Sequence, residues 1–284
     1  MKIGIGLPNP VPGTPGERLI EWARRAEGRG FSGLATIDRI VYPSFESLVA
    51  LAAAAAATTK IGLLTNVLLG PTRNPVLLAK EAASVDQLSA GRLTLGLGVG
   101  SRKDDYEAVG VRFDDRGKRL DEALETMSGV WRGEPVGGSP SPIGPGPVRP
   151  EGVPILIGGR SDAAIRRTVR WGVGYTVGAA PPEVGGPFAD RVRAAWKEAG
   201  KPGEPRIVGL AYFALGERGL SEGAAYLGDY YGEYGARLWE SVPKTPEALR
   251  DVMKRFQDHG FDELFVDPIS SDLNELDLAA DAVL

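Results

Sequence analysis

The chain contains no cysteine among its 284 residues. That absence excludes disulfides, thiolate zinc sites, iron–sulfur ligation and a thiol nucleophile, and it fits a reducing cytoplasm. Histidine is nearly as scarce. The sole one is His259, which excludes a multi-histidine metal site and would force any Ser-His-Asp triad to use that residue. There is no basic surplus either: 33 Lys and Arg stand against 37 Asp and Glu, a net charge of −4. No nucleic acid and no anionic membrane is therefore expected as a partner. Long hydrophobic runs are missing as well. The longest small-apolar stretch, Leu48 to Ala57, is about half of what a membrane helix needs, and Thr58, Thr59 and Lys60 close it. The opening MKIGIGLPNP carries one Lys and then a short alternating run broken at Pro8, which is unlike an export signal.

What is present is a chain of ordinary globular composition, 43% hydrophobic and 25% charged. Its period alternates between short β-branched runs and longer segments with apolar residues three and four apart. The spacing predicts strands at Ile3–Leu7, Gly33–Ile37, Ile61–Thr65, Leu93–Leu97, Ile155–Ile157, Gly174–Val177, Ile207–Leu215 and Glu263–Val266. Helices are predicted at Pro15–Arg29, Ser44–Thr58, Pro75–Ser89, Arg116–Trp131, Asp162–Trp171, Pro187–Ala199, Pro246–His259 and Leu273–Ala282. Ser44 and Asn74 are expected to cap helices, Pro75 suits a first helical position, and Gly200 and Gly260 suit helix ends. An open doubly wound sheet uses the same units, but eight strand–helix repeats in this length argue for closure. The expected fold is α/β, a (β/α)8 TIM barrel forming a single domain over residues 1–284, with loop and helical insertions at its C-terminal face. Two segments fall outside the rhythm. Gly133–Gly152 is dense in Pro and Gly and reads as a lid or linker. Glu217–Lys244 carries Tyr226, Tyr230, Tyr231, Tyr234 and Trp239, which suits either a helix packed on the barrel or a substrate wall.

Barrel active sites lie where strands end, so the residues after each strand are the candidates. They are Pro8 and Asn9, Asp38 and Arg39, Asn66, Gly98 to Ser101, Gly158 to Ser161, Gly178, Gly216 and Glu217, and Asp267. GLGVGS at Gly96–Ser101 resembles a dinucleotide loop, yet it has the spacing G-x-G-x-G and is followed by RKDDYEAVG, which does not read as a helix opening. Its glycines suit either close approach to a ligand or a bulge at the rim. In IGGRSDAA, two glycines leave a strand and Ser161 caps a helix; backbone N–H groups, the helix dipole, the Ser161 hydroxyl and Arg160 can converge there on a phosphate. The alternative is a capped helix with no ligand. Asp38 and Asp267 could serve as a glycosidase pair, although the usual Glu at a strand end is missing. His259 reads as structural or exposed.

The segment Thr65–Gly110 closely resembles the bacterial luciferase-like monooxygenase and reductase family. The matches are NPVLLAKEAASVDQLSAGRLTLGLGVG, Trp131 to Gly133, VPILIGG and KTPEALRDVMKRFQDHGFDELFV, and they span nearly the whole chain. The resemblance implies a (β/α)8 barrel with insertions that binds coenzyme F420, a deazaflavin, or alternatively FMN at its mouth. It implies that Asn66–Val67 occupies the position where the deazaflavin branch carries a non-prolyl cis peptide behind the ring. Gly98, Val99, Gly100 and Ser101 would lie near the ring and phosphate, Gly158, Gly159, Arg160 and Ser161 would form the phosphate turn, and Gly178 completes the set. The chain departs from the sugar-phosphate dehydrogenases of that branch in having Arg39 where they have His, and Ser101 where they have an acid. An arginine cannot be a general base, but it can hold an electron-rich group or steady negative charge. Asp38 and Arg39 are thus the expected catalytic residues of an oxidoreductase moving a hydride between F420 and a small organic substrate. The alternatives are an FMN-dependent monooxygenase using oxygen and a non-catalytic flavin-binding barrel; a homodimer is an admissible assembly.

Overall fold

Short strands buried on both faces alternate with helices along the chain, the pattern of a parallel sheet covered by helices. The strands are β1 (Lys2–Gly6), β2 (Gly33–Thr36), β3 (Gly62–Leu69), β4 (Leu93–Gly98), β5 (Ile155–Gly158), β6 (Gly174–Thr176), β7 (Arg206–Phe213) and β8 (Glu263–Pro268). The helices are α1 (Gly16–Arg29), α2 (Ser47–Ala57), α3 (Pro75–Leu88), α4 (Lys103–Ala108), α5 (Arg116–Trp131), α6 (Asp162–Trp171), α7 (Pro182–Glu198), α8 (Glu217–Tyr231), α9 (Glu233–Ser241), α10 (Pro246–Asp258) and α11 (Leu273–Val283). The computed structural model describes residues 1–138 and 141–284, and these elements are the ones found there. Every strand pairs in parallel with its neighbours, and β8 returns to β1 with Lys2 opposite Glu263, closing the expected (β/α)8 barrel.

The barrel interior is filled by side chains. Ala35, Leu64, Leu156, Val208 and Phe265 form one buried cluster, and the Phe265 ring lies over Gly4, where a Cβ would come within 2.3 Å of it. A second layer between strands and helices buries Trp22, Leu51, Leu78, Leu124 and Phe256. Each such side chain contributes roughly 1.5–3 kcal/mol of burial free energy.

All eight expected strands are present, and β3 runs on past its expected end at Thr65 to Leu69. The extension carries a bulge, because the register against β4 shifts between Thr65 and Leu68. The Asn66–Val67 peptide is cis. β4 can lie this close only because residue 96 is glycine: a Cβ there would be 1.9 Å from the Thr65 carbonyl oxygen. The Thr65 hydroxyl donates to the Gly96 carbonyl at 2.8 Å and ties the two strands together.

Some boundaries differ from expectation. Asn74 and Pro75 open α3 as expected, but α2 starts at Ser47 and is capped by the Glu46 carboxylate, which accepts from Val49 N–H at 2.8 Å. Ser44 lies in the preceding loop, with its N–H donating to the Tyr42 carbonyl. α7 starts five residues early, at Pro182 instead of Pro187. Gly185 and Gly186 make this possible, since Cβ atoms there would meet Val177 at 3.0 Å and His259 at 2.6 Å. The segment after GLGVGS does open a helix, the short α4. Asp104 and Asp105 in its first turn suit a helix N-terminus, and the Tyr106 hydroxyl is anchored on the Val99 carbonyl.

The two irregular segments resolve differently. Gly133–Gly152, whose residues 139 and 140 lie outside the described ones, joins the end of α5 to the start of β5 and so sits at the end of the barrel opposite the strand C-termini. Lys80 and Gln87 of α3 donate to the Gly144 and Gly146 carbonyls at 2.7 and 2.8 Å. A segment held there cannot be a lid. Glu217–Lys244 instead forms α8 and α9, broken at Gly232 with φ +64°.

Candidate functional site

The C-terminal ends of the strands surround a cavity of about 430 Å³. Ile37, Asp38 and Arg39 follow β2 on its wall, Asn66, Val67 and Leu69 come from β3, and Gly100, Ser101, Arg102 and Asp105 follow β4. Arg160 after β5, Gly178 and Ala179 after β6 and Leu210 of β7 continue the wall, and Tyr230, Tyr231 and Tyr234 roof it from α8 and α9.

The β2 side is charged and fully paired. Asp38 accepts from both terminal nitrogens of Arg73 at 2.8 and 3.1 Å, from Leu69 N–H at 2.9 Å and from the Ser47 hydroxyl at 3.3 Å. Arg39 donates from Nε to Asp105 at 2.7 Å and from Nη2 to Asp104 at 3.1 Å, and its Nη1 reaches the Tyr230 carbonyl at 3.3 Å. The second Asp105 oxygen accepts from Ile40 and Val41 N–H, both at 2.8 Å. Only 6% of the Arg39 side chain and 1% of the Asp105 side chain are exposed. At such burial the pair holds together only while both partners are present, because a lone buried charge is strongly unfavourable.

The side from β3 to β6 is different. Asn66 Oδ1 accepts from the Thr176 hydroxyl at 2.7 Å, while Asn66 Nδ2 is buried without a hydrogen-bond partner among the described residues. Buried amide donors without acceptors are uncommon, and one on a cavity wall is suited to a ligand. Arg160 makes no ion pair or hydrogen bond among the described residues and is exposed. Gly178, with φ +66°, has nothing within 4 Å of where its Cβ would stand, so it leaves room in the cavity.

The remaining expected residues stand behind or beside this wall. Gly98 and Gly158 are buried, and a Cβ on either would meet the Val67 side chain, at 2.7 and 2.9 Å. Their smallness lets Val67 settle between β4 and β5 and so sets the shape of the floor. Val99 is half-buried, with its carbonyl taken by Tyr106. Gly159, with φ +111°, and Ser161 lie on the exposed turn before α6, outside the wall. Ser161 caps that helix by accepting from Ala164 N–H at 3.2 Å. The neighbouring Asp162 carboxylate is drawn off by Arg191 of α7 at 2.6 Å, which reduces its opposition to an anion at the helix N-terminus.

Three features were not visible in the sequence. Arg73 and Asp105 meet Asp38 and Arg39 across 35 and 66 residues of chain, and only the paired acids of RKDDY hint at the second contact. The third is the joining of Tyr42 and Tyr212 to the tyrosine roof, of which the sequence showed only Tyr226, Tyr230, Tyr231 and Tyr234. Tyr42, Tyr226, Tyr230, Tyr231, Tyr234 and Tyr212 pack with successive ring centroids 4.7–6.1 Å apart. The same helices, α8 and α9, pack on the barrel and line the cavity. The Tyr231 and Tyr212 hydroxyls are 2.9 Å apart, and burial raises the pKa of both, so they stay protonated through neutral pH. Beneath them Asp267 is the penultimate residue of β8. It is buried, its Oδ1 has no partner among the described residues, and desolvation pushes its carboxyl up to about 8. Asp267 is not on the cavity wall with Asp38. His259 follows the last residue of α10, with Nδ1 2.8 Å from the Arg255 carbonyl oxygen. No cluster of potential metal ligands and no helix long and apolar enough to cross a membrane occurs among the described residues.

Comparison with known proteins places these features in a family. An uncharacterized protein of Mycobacterium tuberculosis (strain ATCC 25618 / H37Rv) is 33% identical over 227 residues, 69% of this chain and 78% of its own length. Among solved structures, an F420-dependent secondary alcohol dehydrogenase in complex with an F420–acetone adduct superposes with TM-score 0.79 at 18% identity, over 99% of this chain and 98% of the other. The oxygenating constituent of 3,6-diketocamphane monooxygenase from Pseudomonas putida, in complex with FMN, gives 0.77 at 16% identity, over 100% and 96%. At those identities the structures show a shared fold. The model of the family described as luciferase-like monooxygenase matches residues 1–221. The chain belongs to the luciferase-like monooxygenase family.

Proposed function

We propose that the chain is an oxidoreductase that transfers a hydride between coenzyme F420 and a small organic substrate bound in the mouth cavity. The observation that carries this reading is the wall from β3 to β6: an apolar floor at Val67, a buried Asn66 amide with no protein acceptor, and an unpaired Arg160 beside the N-terminus of α6. A planar ring with hydrogen-bonding edges and a phosphate-bearing tail matches that sequence of groups. The bulge in β3 falls at Asn66 and Val67, where the resemblance places the back of the deazaflavin ring, and this supports F420 over FMN. When bound, the cofactor would supply the hydride donor or acceptor.

The protein's part is orientation and dryness. Val67 would back the ring, Asn66 Nδ2 would donate to its edge, and Arg160 with the first turn of α6 would hold the phosphate. Tyr230, Tyr231 and Tyr234 would exclude water above it. The Tyr231 hydroxyl, on the wall and protonated, would donate a hydrogen bond to a substrate oxygen as that oxygen gains charge. Arg39 and Asp38 remain the proposed catalytic pair. They would act from within their ion pairs, Arg39 by steadying negative charge through its fixed field and Asp38 by holding Arg73 and the backbone of Leu69 in place.

An FMN-dependent monooxygenase is the second reading, favoured by the FMN complex that shares this fold. Separate titrations of the purified protein with F420 and with FMN distinguish the two. Tighter binding of F420 is expected; tighter binding of FMN would transfer the assignment, and binding of neither would end both readings.

A further inference from the structure

A second hollow adjoins the mouth cavity. β6 pairs with β7 only as far as Thr176 and Val208, whereas β7 continues to Phe213, so the two strands part and the flank of β7 from Leu210 to Tyr212 faces open space. This recess holds about 300 Å³. Leu238 of α9 and Val252 and Phe256 of α10 close its outer side. Of the two cations on its lining, Arg255 is held by Glu183 at 2.5 and 2.8 Å and Arg237 of α9 is exposed, while Leu210, Ala211, Leu238, Val242, Val252 and Phe256 supply a mainly apolar interior. Ala179, Leu210 and Tyr234 belong to both hollows, and the Tyr234 hydroxyl bridges to the Ala179 carbonyl at 3.3 Å. These three residues therefore stand between the two hollows, and the contact that joins Tyr234 to Ala179 is one long hydrogen bond from an exposed side chain.

We infer that this recess binds the apolar body of the substrate, an alicyclic or branched hydrocarbon portion, while the reacting oxygen-bearing end stays in the mouth cavity on the other side of Tyr234. Only the identity of the reacting end rests on the hydride-transfer reading. The recess itself follows from the parted strands. A polar body would lose water against the aliphatic and aromatic side chains of Leu210, Leu238, Val252 and Phe256 with few partners in return, whereas an apolar one gains by leaving water. The same argument makes Leu238 and Val252 the residues that set how large a substrate body is accepted.

The test uses 2-decalone, a bicyclic ketone, as the probe of binding to the full chain by saturation-transfer NMR. Val252→Trp and Leu238→Trp fill the recess from two different helices. Each is expected to weaken 2-decalone binding by about tenfold or more while changing F420 and FMN affinity by less than about threefold. The smaller Val252→Phe should give an intermediate loss, and it provides the measurement should a tryptophan variant fail to fold. Failure of the wild-type chain to bind 2-decalone, or binding unchanged in the folded variants, overturns the inference. Because the probe is read without cofactor, loss of both cofactor affinities with an intact 2-decalone response would count against the hydride-transfer reading and leave the recess assignment standing.

Discussion

The two sides of the mouth cavity contrast in how their polar groups are used. On the β2 side, Asp38, Arg39, Arg73 and Asp105 satisfy one another almost completely and are nearly closed to water. On the side from β3 to β6, Asn66 Nδ2 and Arg160 have no acceptors among the described residues. A buried group with all its partners holds the loops in place, and a group without them is available to a ligand. The difference separates residues that build the site from residues that would recognise what enters it, even though both kinds sit at strand ends and look alike in a sequence.

The sharpest way to break this contrast is Arg39→Ala. It strands the Asp105 carboxylate, and we expect a loss of about 3 kcal/mol or more of unfolding free energy, read from urea midpoints. In whatever fraction remains folded, kcat/KM for a natural substrate should fall about a hundredfold, which corresponds to about 2.7 kcal/mol. A folded variant with wild-type stability and turnover would show that the β2 side is neither scaffold nor catalyst.

Asp267 provides the next largest effect. Burial raises its folded-state pKa to about 8 from an ordinary 3.8. Between those values the folded protein holds a proton that the unfolded chain releases, so its contribution is complete at low pH and is lost as pH rises toward 8. Asp267→Asn should therefore flatten the decline in stability between those two pH values, by on the order of 2 kcal/mol at the upper end. Parallel pH profiles of the melting temperature for variant and parent would refute the buried, protonated state.

The smallest effects belong to the side with unsatisfied donors, where ligand affinity should change and stability should not. Arg160→Ala should shift unfolding free energy by less than about 0.5 kcal/mol, because the side chain is exposed and unpaired. It should nonetheless weaken cofactor binding about tenfold, or about 1.4 kcal/mol. Ser161→Asp should do the same, since its carboxylate would repel a phosphate at the N-terminus of α6. Unchanged affinity in both would remove the phosphate site from this turn.

How far the sequence reached can be judged residue by residue. Asn74, Pro75 and Ser161 act as helix-start signals as read, because capping depends only on groups a few residues away. Ser44 did not, because Glu46 reaches Val49 N–H instead and the loop after β2 carries Ser47 on to Asp38. α4 escaped notice because six residues are too few to show a period, and what holds it is the contact between Asp105 and Arg39. Gly98 and Gly158 were visible as glycines at strand ends. Only the position of the Val67 side chain explains why they are glycine.

The sequence alone determined the barrel, since alternating periods of two and 3.6, eight times over, can bury their apolar faces together in very few ways. It also determined that the cavity lies at the C-terminal ends of the strands, because that follows from chain direction. The tertiary structure alone decided which polar groups at those ends are already satisfied. Asp38 meets Arg73, Arg39 meets Asp105, and Asn66 keeps an amide donor without an acceptor because of contacts between segments tens of residues apart. Hydrogen bonds and ion pairs act over a few ångströms in space, so no local pattern in the chain could have assigned them.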